Sequence, residues 1–291
     1  MAIQNFIPQI WNETLQRGLE RDCVFVEDCN RQYEGNVSKA GDTVHILGVG
    51  KPTIKTIDRN KANGYDGNID DAEHIDGTDV TMVIDQIRYF NYEVGKVEKA
   101  QAVGNLMDAY TKETSEALAN VIDSYIAQKV LDERITKLFA TVPKVVAGDN
   151  IASGEMHVLD IMDAAILKMR ERDISASTKI VIDASPRFVS LLRKAYILRN
   201  TDNSEMMKNG KIGMYGNVII KESNNVAKTD SGATDNIMIR TQRAIAYAQP
   251  LTFTKAYEPE KKFTDAVKGF ILFGSQIVRP NEILNINVKY A

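Results

Sequence analysis

The chain has 291 residues, of which 44% are hydrophobic and 26% are charged, and it carries a formal net charge of −3 with a pI near 5.8. These values are typical of a globular protein, and the slight acidity disfavours sequence-specific binding of nucleic acid. The N-terminus lacks a basic region followed by an apolar run, and no apolar stretch is long enough to span a bilayer. We therefore expect a cytosolic protein with no signal peptide and no membrane contact.

Residues 1–30 are predicted to form an N-terminal arm that continues into a short helix. Apolar residues recur between polar ones so that they share one face. They are Phe6, Ile7, Ile10, Trp11, Leu15 and Leu19. We interpret Trp11, the only tryptophan, as an anchor against the fold or a neighbouring subunit. Cys23 and Cys29 are spaced too widely for a two-residue redox or zinc pair, so we expect free thiols.

Strand patterns replace the helical pattern from Arg31 to Leu47. Val44 and Ile46 alternate with polar neighbours, which favours a strand with one buried face. His45 falls on the opposite face, and no second histidine or acid lies at ligand spacing. His45 is therefore predicted to be an exposed residue rather than a metal ligand.

Residues 48–77, which we call the excursion, are long, polar and only weakly periodic, and such a segment suggests a function or a partner. Pro52 follows Gly50-Lys51 where a P-loop needs Ser or Thr, and Asp71 stands where a calcium loop needs glycine. The first half is basic and the second half is acidic. The charged residues are Lys51, Lys55, Arg59 and Lys61, then Asp66, Asp70, Asp71 and Glu73. We predict a two-stranded excursion that pairs its opposite charges with itself or with a neighbour.

After the excursion, residues 78–94 are predicted to form one long strand with an irregularity near Gln86. A long amphipathic helix follows over Leu106–Leu131, with Asn105 as its N-cap. At about 1.5 Å per residue it spans about 39 Å, well beyond an ordinary globular helix. Two apolar ridges are predicted to be core, and the intervening polar residues are predicted to face water. The ridges are Leu118, Ile122, Ile126 and Val130, then Tyr110, Ala117, Val121 and Tyr125; the polar residues are Lys112, Glu116, Asn120 and Asp123.

The second half of the chain is predicted to be an α/β unit. Helices are expected over 157–172 and from Ser185-Pro186 onward, with His157 in a structural role at a helix start. A loop is expected over 223–234. Strands are expected over residues 179–183, 217–221, 236–248 and 251–255, and again in two C-terminal runs, 269–279 and 283–290, which are interrupted by Pro280.

The sequence contains none of the motifs that would indicate a catalytic or cofactor site. It has no Gly-x-Ser-x-Gly elbow, no His-Glu-x-x-His pair and no Gly-x-Gly-x-x-Gly after a strand. Asp160 and Asp163 lie three residues apart on one helix, a spacing that ordinarily gives only a solvated face. We therefore predict no catalytic residues, no cofactor and no metal.

The order of these features resembles the major capsid protein of a tailed bacteriophage with the HK97-type fold. The resemblance lies in the apolar arm, the excursion between two strands, the very long helix, the central α/β insert and the C-terminal strands. The opening text, FIPQIWNETLQRGLERDCVF followed by NRQYEGNVSKAGDTVHI, is similar to the start of members that lack a fused scaffolding region. The resemblance covers nearly the whole chain.

This resemblance implies an α+β fold with four parts. They are an N-terminal arm (1–30), an extended β-hairpin loop (48–77), a peripheral domain built on the long spine helix (31–47, 78–151 and 249–291) and an α/β axial domain (152–248). It also implies a structural protein of the virion that assembles in the host cytoplasm into hexamers and pentamers of an icosahedral shell. Scaffolding, portal and decoration proteins, together with nonspecific contact with packaged double-stranded DNA, are the other expected partners.

Contacts between subunits are expected from the arm and from the excursion. The predicted contact residues are Phe6, Ile7, Trp11 and Leu15, with Lys51, Lys55, Arg59, Lys61, Asp66, Asp70, Asp71 and Glu73. Two alternatives stay open at this point. One is an α/β ligand-binding protein or enzyme with a site made of acids alone, and the other is a different repeating phage part such as a tail tube.

Overall fold

The computed structural model describes residues 23–32, 43–48, 78–95, 106–148, 150–175, 177–198, 214–215, 218–262 and 264–290. The N-cap predicted at Asn105 lies outside these residues. Three α-helices occur in the described part of the chain. They are α1 (Leu106–Gln128), which continues as a 3-10 turn over Lys129–Leu131, α2 (Val158–Arg170) and α3 (Pro186–Leu198).

Fourteen strands occur in the same residues. They are β1 (Thr43–Gly48), β2 (Thr78–Val83), β3 (Gln86–Gly95), β4 (Thr136–Lys137), β5 (Lys144–Val146), β6 (Glu155–His157), β7 (Ile180–Ala184), β8 (Met214–Tyr215), β9 (Val218–Glu222), β10 (Ala227–Thr229), β11 (Thr234–Thr241), β12 (Ile245–Tyr257), β13 (Thr264–Ile277) and β14 (Ile283–Tyr290). The prediction of a mixed helix and sheet fold is confirmed.

The largest sheet has nine strands and joins the C-terminus to the central α/β segment. Its order is β6-β5-β14-β11-β7-β9-β8, with β10 on β11 and β4 on β14. The C-terminal strand β14 pairs antiparallel with β11, and β7 pairs parallel with β9. All five residues of β7 are buried, as a strand covered on both faces requires.

Two smaller sheets complete the fold. β12, β13 and β3 form an antiparallel three-stranded sheet with β13 in the centre. β1 and β2 form an antiparallel pair in register from Thr43 opposite Val83 to Gly48 opposite Thr78. We call this pair the loop base, because it bounds the excursion on both sides. The predicted strand at each end of the excursion is thereby confirmed.

Helix α1 buries one of its two predicted ridges and leaves much of the other in solvent. Leu118, Ile122, Ile126 and Val130 are all buried, as predicted. The second ridge was predicted to be core and is not, because Tyr110 is 46% exposed and Val121 is 39% exposed. Asp123 was predicted to face water, and this is wrong: it is 1% exposed.

The helix pattern itself explains the position of Asp123. Ala119, Ile126 and Ala127 lie four residues before, three after and four after it, and all three are buried. Residues at these spacings share one face of a helix. Position 123 therefore belongs to the core face, and its carboxylate must be satisfied by hydrogen bonds from within the protein.

Three boundaries also differ from the predictions. The strand predicted over 78–94 divides at Ile84 and Asp85 into β2 and β3, which join different sheets. The strand predicted over 236–248 divides at 242–244, where Ala244 N donates to Thr241 O at 3.2 Å. The predicted loop 223–234 contains the short strand β10.

Other local predictions are confirmed. α3 begins at Pro186, and His157 caps α2, with Nδ1 accepting a hydrogen bond from Leu159 N at 3.2 Å. His45 is exposed, and Cys23 and Cys29 are buried and are not joined in a disulfide.

Candidate assembly surface

All the residues predicted to contact neighbouring subunits lie outside the described part of the chain. They are Phe6, Ile7, Trp11, Leu15, Lys51, Lys55, Arg59, Lys61, Asp66, Asp70, Asp71 and Glu73. The structure does describe the segments that adjoin the arm and the excursion along the chain. These segments are the loop base and residues 23–30, which we call the arm root.

The arm root is fastened to the nine-stranded sheet by one buried arginine. Arg240 on β11 is fully buried, and its Nε donates to Asp183 Oδ2 on β7 at 3.0 Å. Its Nη2 donates to Phe25 O at 2.7 Å, and its Nη1 donates to Asp28 O and to Cys29 Sγ. Burial disfavours the charged guanidinium, but Asp183 and the other negative groups around Arg240 together outweigh burial and raise the pKa of Arg240. Arg240 therefore stays charged and holds the carbonyls of the arm root in place.

Helix α1 holds the other side of the arm root through Asp123. Its two carboxylate oxygens accept hydrogen bonds from Val24 N at 2.8 Å and from Phe25 N at 3.1 Å. Burial raises the pKa of Asp123 to about 6, although both backbone bonds act in the opposite direction. Asp123, which was predicted to lie on the surface, thus links α1 to the arm root through two hydrogen bonds.

Two lysines add ion pairs on the outer side of the arm root. Asp28 is buried, and it contacts Lys179 Nζ at 2.8 Å and Lys221 Nζ at 2.5 Å. Burial alone would raise the pKa of Asp28, but the bonds from both lysines outweigh burial and lower it. Backbone bonds complete the attachment, since Asn30 N donates to Ile245 O at 2.8 Å and Tyr247 N donates to Asn30 O at 3.0 Å.

The loop base is attached to the three-stranded sheet by apolar packing. One face of β1 and β2, together with Ile84, packs on side chains of β12 and β13 in a separate hydrophobic cluster. Its buried members are Val44, Ile46, Met82, Ile84, Ala246, Ala248 and Leu272. Gly274 on β13 permits this approach, because a Cβ there would lie 2.6 Å from Val83 O and 2.9 Å from Ile84 Cδ1. The excursion therefore begins from a base fixed to the core.

An exposed aromatic row lies on the three-stranded sheet against which the loop base packs. Tyr89 on β3 is opposite Phe270 on β13, which is opposite Phe253 on β12. Tyr89 is 81% exposed and Phe253 is 44% exposed, and the Phe253 and Phe270 ring centroids are 5.6 Å apart. Ile87, two residues before Tyr89, is 50% exposed on the same face. Contiguous exposed apolar side chains of this kind mark interaction surfaces.

The described residues contain no group of three or more His, Cys, Asp or Glu side chains arranged to hold a metal ion. None of the helices in the described ranges has the length and hydropathy needed to cross a bilayer.

The sequence analysis did not identify Arg240, Asp183 and Asp28 as the residues that anchor the arm root. One signal was available for Arg240, because it directly follows Ile237, Met238 and Ile239 within a strand pattern. A charged residue beside such a run must find a buried partner. Nothing local in the sequence identifies that partner as Asp183, since 57 positions separate the two.

No protein-family model matches the chain, and no curated protein sequence matches it. Solved structures do match. A structure from Mycobacterium phage Che8 is 27% identical, with 91% of this chain and 90% of that chain covered and a TM-score of 0.70. The capsid of Cyanophage P-SCSP1u is 14% identical, with coverage of 92% and 89% and a TM-score of 0.66. The mature capsid of bacteriophage PhiM1 is 17% identical, with coverage of 90% and 87% and a TM-score of 0.60.

These matches each extend over 90% or more of the chain. They give no support to the alternative of a ligand-binding protein or enzyme. The resemblance predicted from the sequence is thereby confirmed, and the chain has the HK97-like fold of phage capsid proteins.

Proposed function

We propose that this chain is the major capsid protein of a tailed phage, and that its copies assemble into the icosahedral shell that encloses a double-stranded DNA genome. The observation that carries the proposal is the match in fold to phage capsid structures over 90% or more of the chain. The protein is accordingly a structural component of the virion and not an enzyme.

The division into domains follows from the same proposal. Residues 1–30 are the arm, 48–77 the extended loop, 152–248 the axial domain, and 31–47, 78–151 and 249–291 the peripheral domain. Strand β14 lies within residues 249–291 and pairs with β11 within residues 152–248. The two domains therefore share one continuous sheet, which would make each subunit a rigid plate.

The subunit contacts are proposed to come from the arm, the excursion and the aromatic row. The arm supplies apolar residues such as Phe6 and Trp11, and the excursion supplies charges of both signs. Arg240 and Asp123 fix the root of the arm, and the apolar cluster fixes the loop base. Fixed roots reduce the conformational entropy that an arm or loop loses when it binds a neighbour.

Other partners are proposed on the same basis. The chain would form hexamers and pentamers with itself, and it would meet scaffolding, portal and decoration proteins during assembly. Contact with packaged DNA would be nonspecific, since the net charge of −3 offers little for tight phosphate binding.

The size of the purified full-length protein tests the proposal. Light scattering should detect particles in the megadalton range, and electron microscopy should show closed shells. A stable monomer or dimer with a bound small molecule would instead support a ligand-binding protein. Tubes or rings would support a tail component.

A deletion of residues 51–75 tests the role of the excursion. The shortened chain should fold, because the loop base and its apolar cluster are retained, but it should no longer form shells. If the shortened chain still assembled normally under the electron microscope, the assignment of the excursion as a contact loop would be wrong.

A further inference from the structure

A cleft of about 1400 Å³ lies where the arm root and the loop base meet two connections between the sheets. Residues 242–244 lead from β11 to β12, and residues 278–282 lead back from β13 to β14. Both connections contribute side chains to the lining. Pockets for small molecules commonly enclose roughly 300–1,000 Å³, so the cleft has room for an anion the size of a nucleotide. We call it the arginine cleft, because five arginines line it.

The lining of the arginine cleft carries an excess of positive charge. Three acids accompany the five arginines, and one charge of each sign is neutralised by a residue outside the lining. Arg134 forms two hydrogen bonds of 2.9 Å with Asp132, and Glu27 pairs with Lys221 Nζ at 2.5 Å. Four arginines then remain against two acids, which leaves two positive charges in excess. They are Arg31, Arg172, Arg243 and Arg279, with Asp173 and Glu282.

Two of these arginines share a single carboxylate. Glu282 Oε1 accepts hydrogen bonds from Arg243 Nη2 at 3.2 Å and from Arg279 Nη1 at 3.0 Å. Each of the two arginine side chains is about half exposed, whereas Glu282 is 12% exposed. The two guanidinium groups are therefore held together by one buried acid, and both remain accessible from the cleft.

Arg172 brings a third guanidinium group to the same turn. Its Nη1 donates to Asn281 O at 3.1 Å and to Ile283 O at 3.0 Å, the carbonyls on either side of Glu282. Both acceptors are neutral, so these bonds position the guanidinium without cancelling its charge. Burial lowers the pKa of Arg172, whereas an anion beside the guanidinium would act in the opposite direction. Arg172 still carries its charge at neutral pH, and its fixed position reduces the entropy lost when an anion binds.

The charge of this group decides which anion fits it. Three guanidinium groups around one carboxylate leave two positive charges. A phosphate group with a free second ionisation carries about −1.5 to −2 at neutral pH and offers three acceptor oxygens. A carboxylate or an internal phosphodiester carries one negative charge and balances only half of the excess. Arginine also binds phosphate through two parallel hydrogen bonds, which a planar guanidinium makes without rearrangement.

We propose that Arg172, Arg243 and Arg279 bind a dianionic phosphate group, such as a nucleotide or an oligophosphate carries, in the arginine cleft. The three arginines come from separate segments, after α2, between β11 and β12, and between β13 and β14. A bound phosphate joins these segments and stabilises the folded chain. The inference goes beyond the proposed function and does not rest on it, because the site lies within one chain.

Titration calorimetry with inorganic tripolyphosphate tests the inference on the full-length chain. The unmodified chain should bind a single anion per chain. The cleft variant, Arg243→Gln with Arg279→Gln, should bind at least about tenfold more weakly, because each lost bond joins two charged groups. The control variant, Lys194→Gln with Lys228→Gln, loses the same charge at two exposed positions outside the cleft and should bind as the unmodified chain does.

A change that tightens binding separates a site from damage to the fold. Glu282→Gln removes the carboxylate that Arg243 and Arg279 share, so it should raise the affinity for tripolyphosphate by about tenfold. A misfolded chain would bind more weakly instead. Arg172→Lys keeps the charge but loses the planar fork, and it should bind more weakly than the unmodified chain. Circular dichroism of each variant should match that of the unmodified chain.

A short DNA duplex without terminal phosphates distinguishes a dianionic phosphate from the phosphodiesters of packaged DNA. The cleft variant and the control variant should bind this duplex equally. If the cleft variant lost affinity for the duplex and kept its affinity for tripolyphosphate, the cleft would contact DNA and the inference would be wrong. Absence of tripolyphosphate binding by the unmodified chain, or an equal loss in the control variant, would also overturn it. Each readout is a binding constant, so the inference can fail while the proposed function stands.

Discussion

Arg240 donates from Nε to Asp183 Oδ2 at 3.0 Å, and both side chains are fully buried. Removing water from two charges costs free energy, so a buried ion pair often adds little stability in itself. The pair has another consequence here, because the remaining donors of Arg240 reach Phe25 O, Asp28 O and Cys29 Sγ. Asp183 thus fixes the arginine that holds the root of the N-terminal arm.

Replacement of Arg240 by Met should lower the free energy of unfolding by about 3–5 kcal/mol, because it leaves Asp183 buried without its partner. Adding Asp183→Leu in the same chain should recover part of that loss. Denaturant unfolding of the full-length chain measures both effects. The comparison variant is Arg193→Met, which removes an exposed pair with Glu222 and should cost about 1 kcal/mol or less.

Losses from Arg240→Met and Asp183→Leu that simply added in the double variant would contradict this account. Hydrogen exchange gives a second measurement, since the amides of residues 24–29 should exchange faster in Arg240→Met. In Arg193→Met these amides should keep their protection.

The sequence was sufficient for the parts of the fold that depend on periodicity. The α1 face through Ile122 and Ile126, the buried strand β7 and the start of α3 at Pro186 all follow local patterns. An irregularity near Gln86 was predicted, but the division of that strand at 84–85 between two sheets and the break at 242–244 were not, because they depend on which sheet each half joins. A continuous apolar and polar alternation does not show that a strand changes partners.

The candidate surface was less predictable than the fold for a related reason. Asp123 could be assigned to a helix face, but its two donors, Val24 N and Phe25 N, lie 98 or more positions away. The exposed aromatic row arises only when β3, β13 and β12 come into register. The charge pattern of the excursion, in contrast, was visible in the sequence.

Replacement of Asp123 by Asn should remove a pH dependence of stability. Burial raises the pKa of Asp123 to about 6 from an ordinary value of 3.8, so between these values the folded state binds the proton more strongly than the unfolded state. The stabilisation of the folded state by this proton is fully present below pH 3.8 and is lost as the pH rises through about 6. Its size is at most about 3 kcal/mol, from roughly 1.4 kcal/mol per pKa unit.

Unfolding of the full-length chain and of Asp123→Asn, measured from pH 4.5 to pH 7, tests this prediction. The difference in the free energy of unfolding between the two chains should change across that pH range. Asp132→Asn is the control, because the bonds to Arg134 lower the pKa of Asp132 to about 2. The pH dependence of stability that Asp132 contributes should therefore lie below pH 4, outside the measured range. Parallel curves for Asp123→Asn and the unmodified chain would show that Asp123 does not titrate in this range.

Replacement of Tyr89 by Lys should prevent assembly while leaving the subunit folded. Tyr89 is 81% exposed, so the change should alter the free energy of unfolding by about 0.5 kcal/mol or less. In a shell the aromatic row would be covered, and a lysine there would bring an unpaired charge into the contact. Light scattering measures assembly, and Tyr89→Phe should assemble because it keeps the apolar area. Shells formed by Tyr89→Lys at the normal yield would exclude the row from the subunit contacts.

Replacement of Gly274 by Ala should displace the loop base from the three-stranded sheet. The new Cβ would lie 2.6 Å from Val83 O and 2.9 Å from Ile84 Cδ1, and the backbone oxygen cannot move away without shifting β2. Overpacking of this kind costs about 1–3 kcal/mol. Because the loop base carries the excursion, we expect both lower thermal stability and fewer closed shells.

Gly148→Ala is the matched control, since a Cβ at Gly148 would meet no atom within 4 Å. Equal melting temperatures and shell yields for the two alanine variants would show that close packing at Gly274 does not position the loop base.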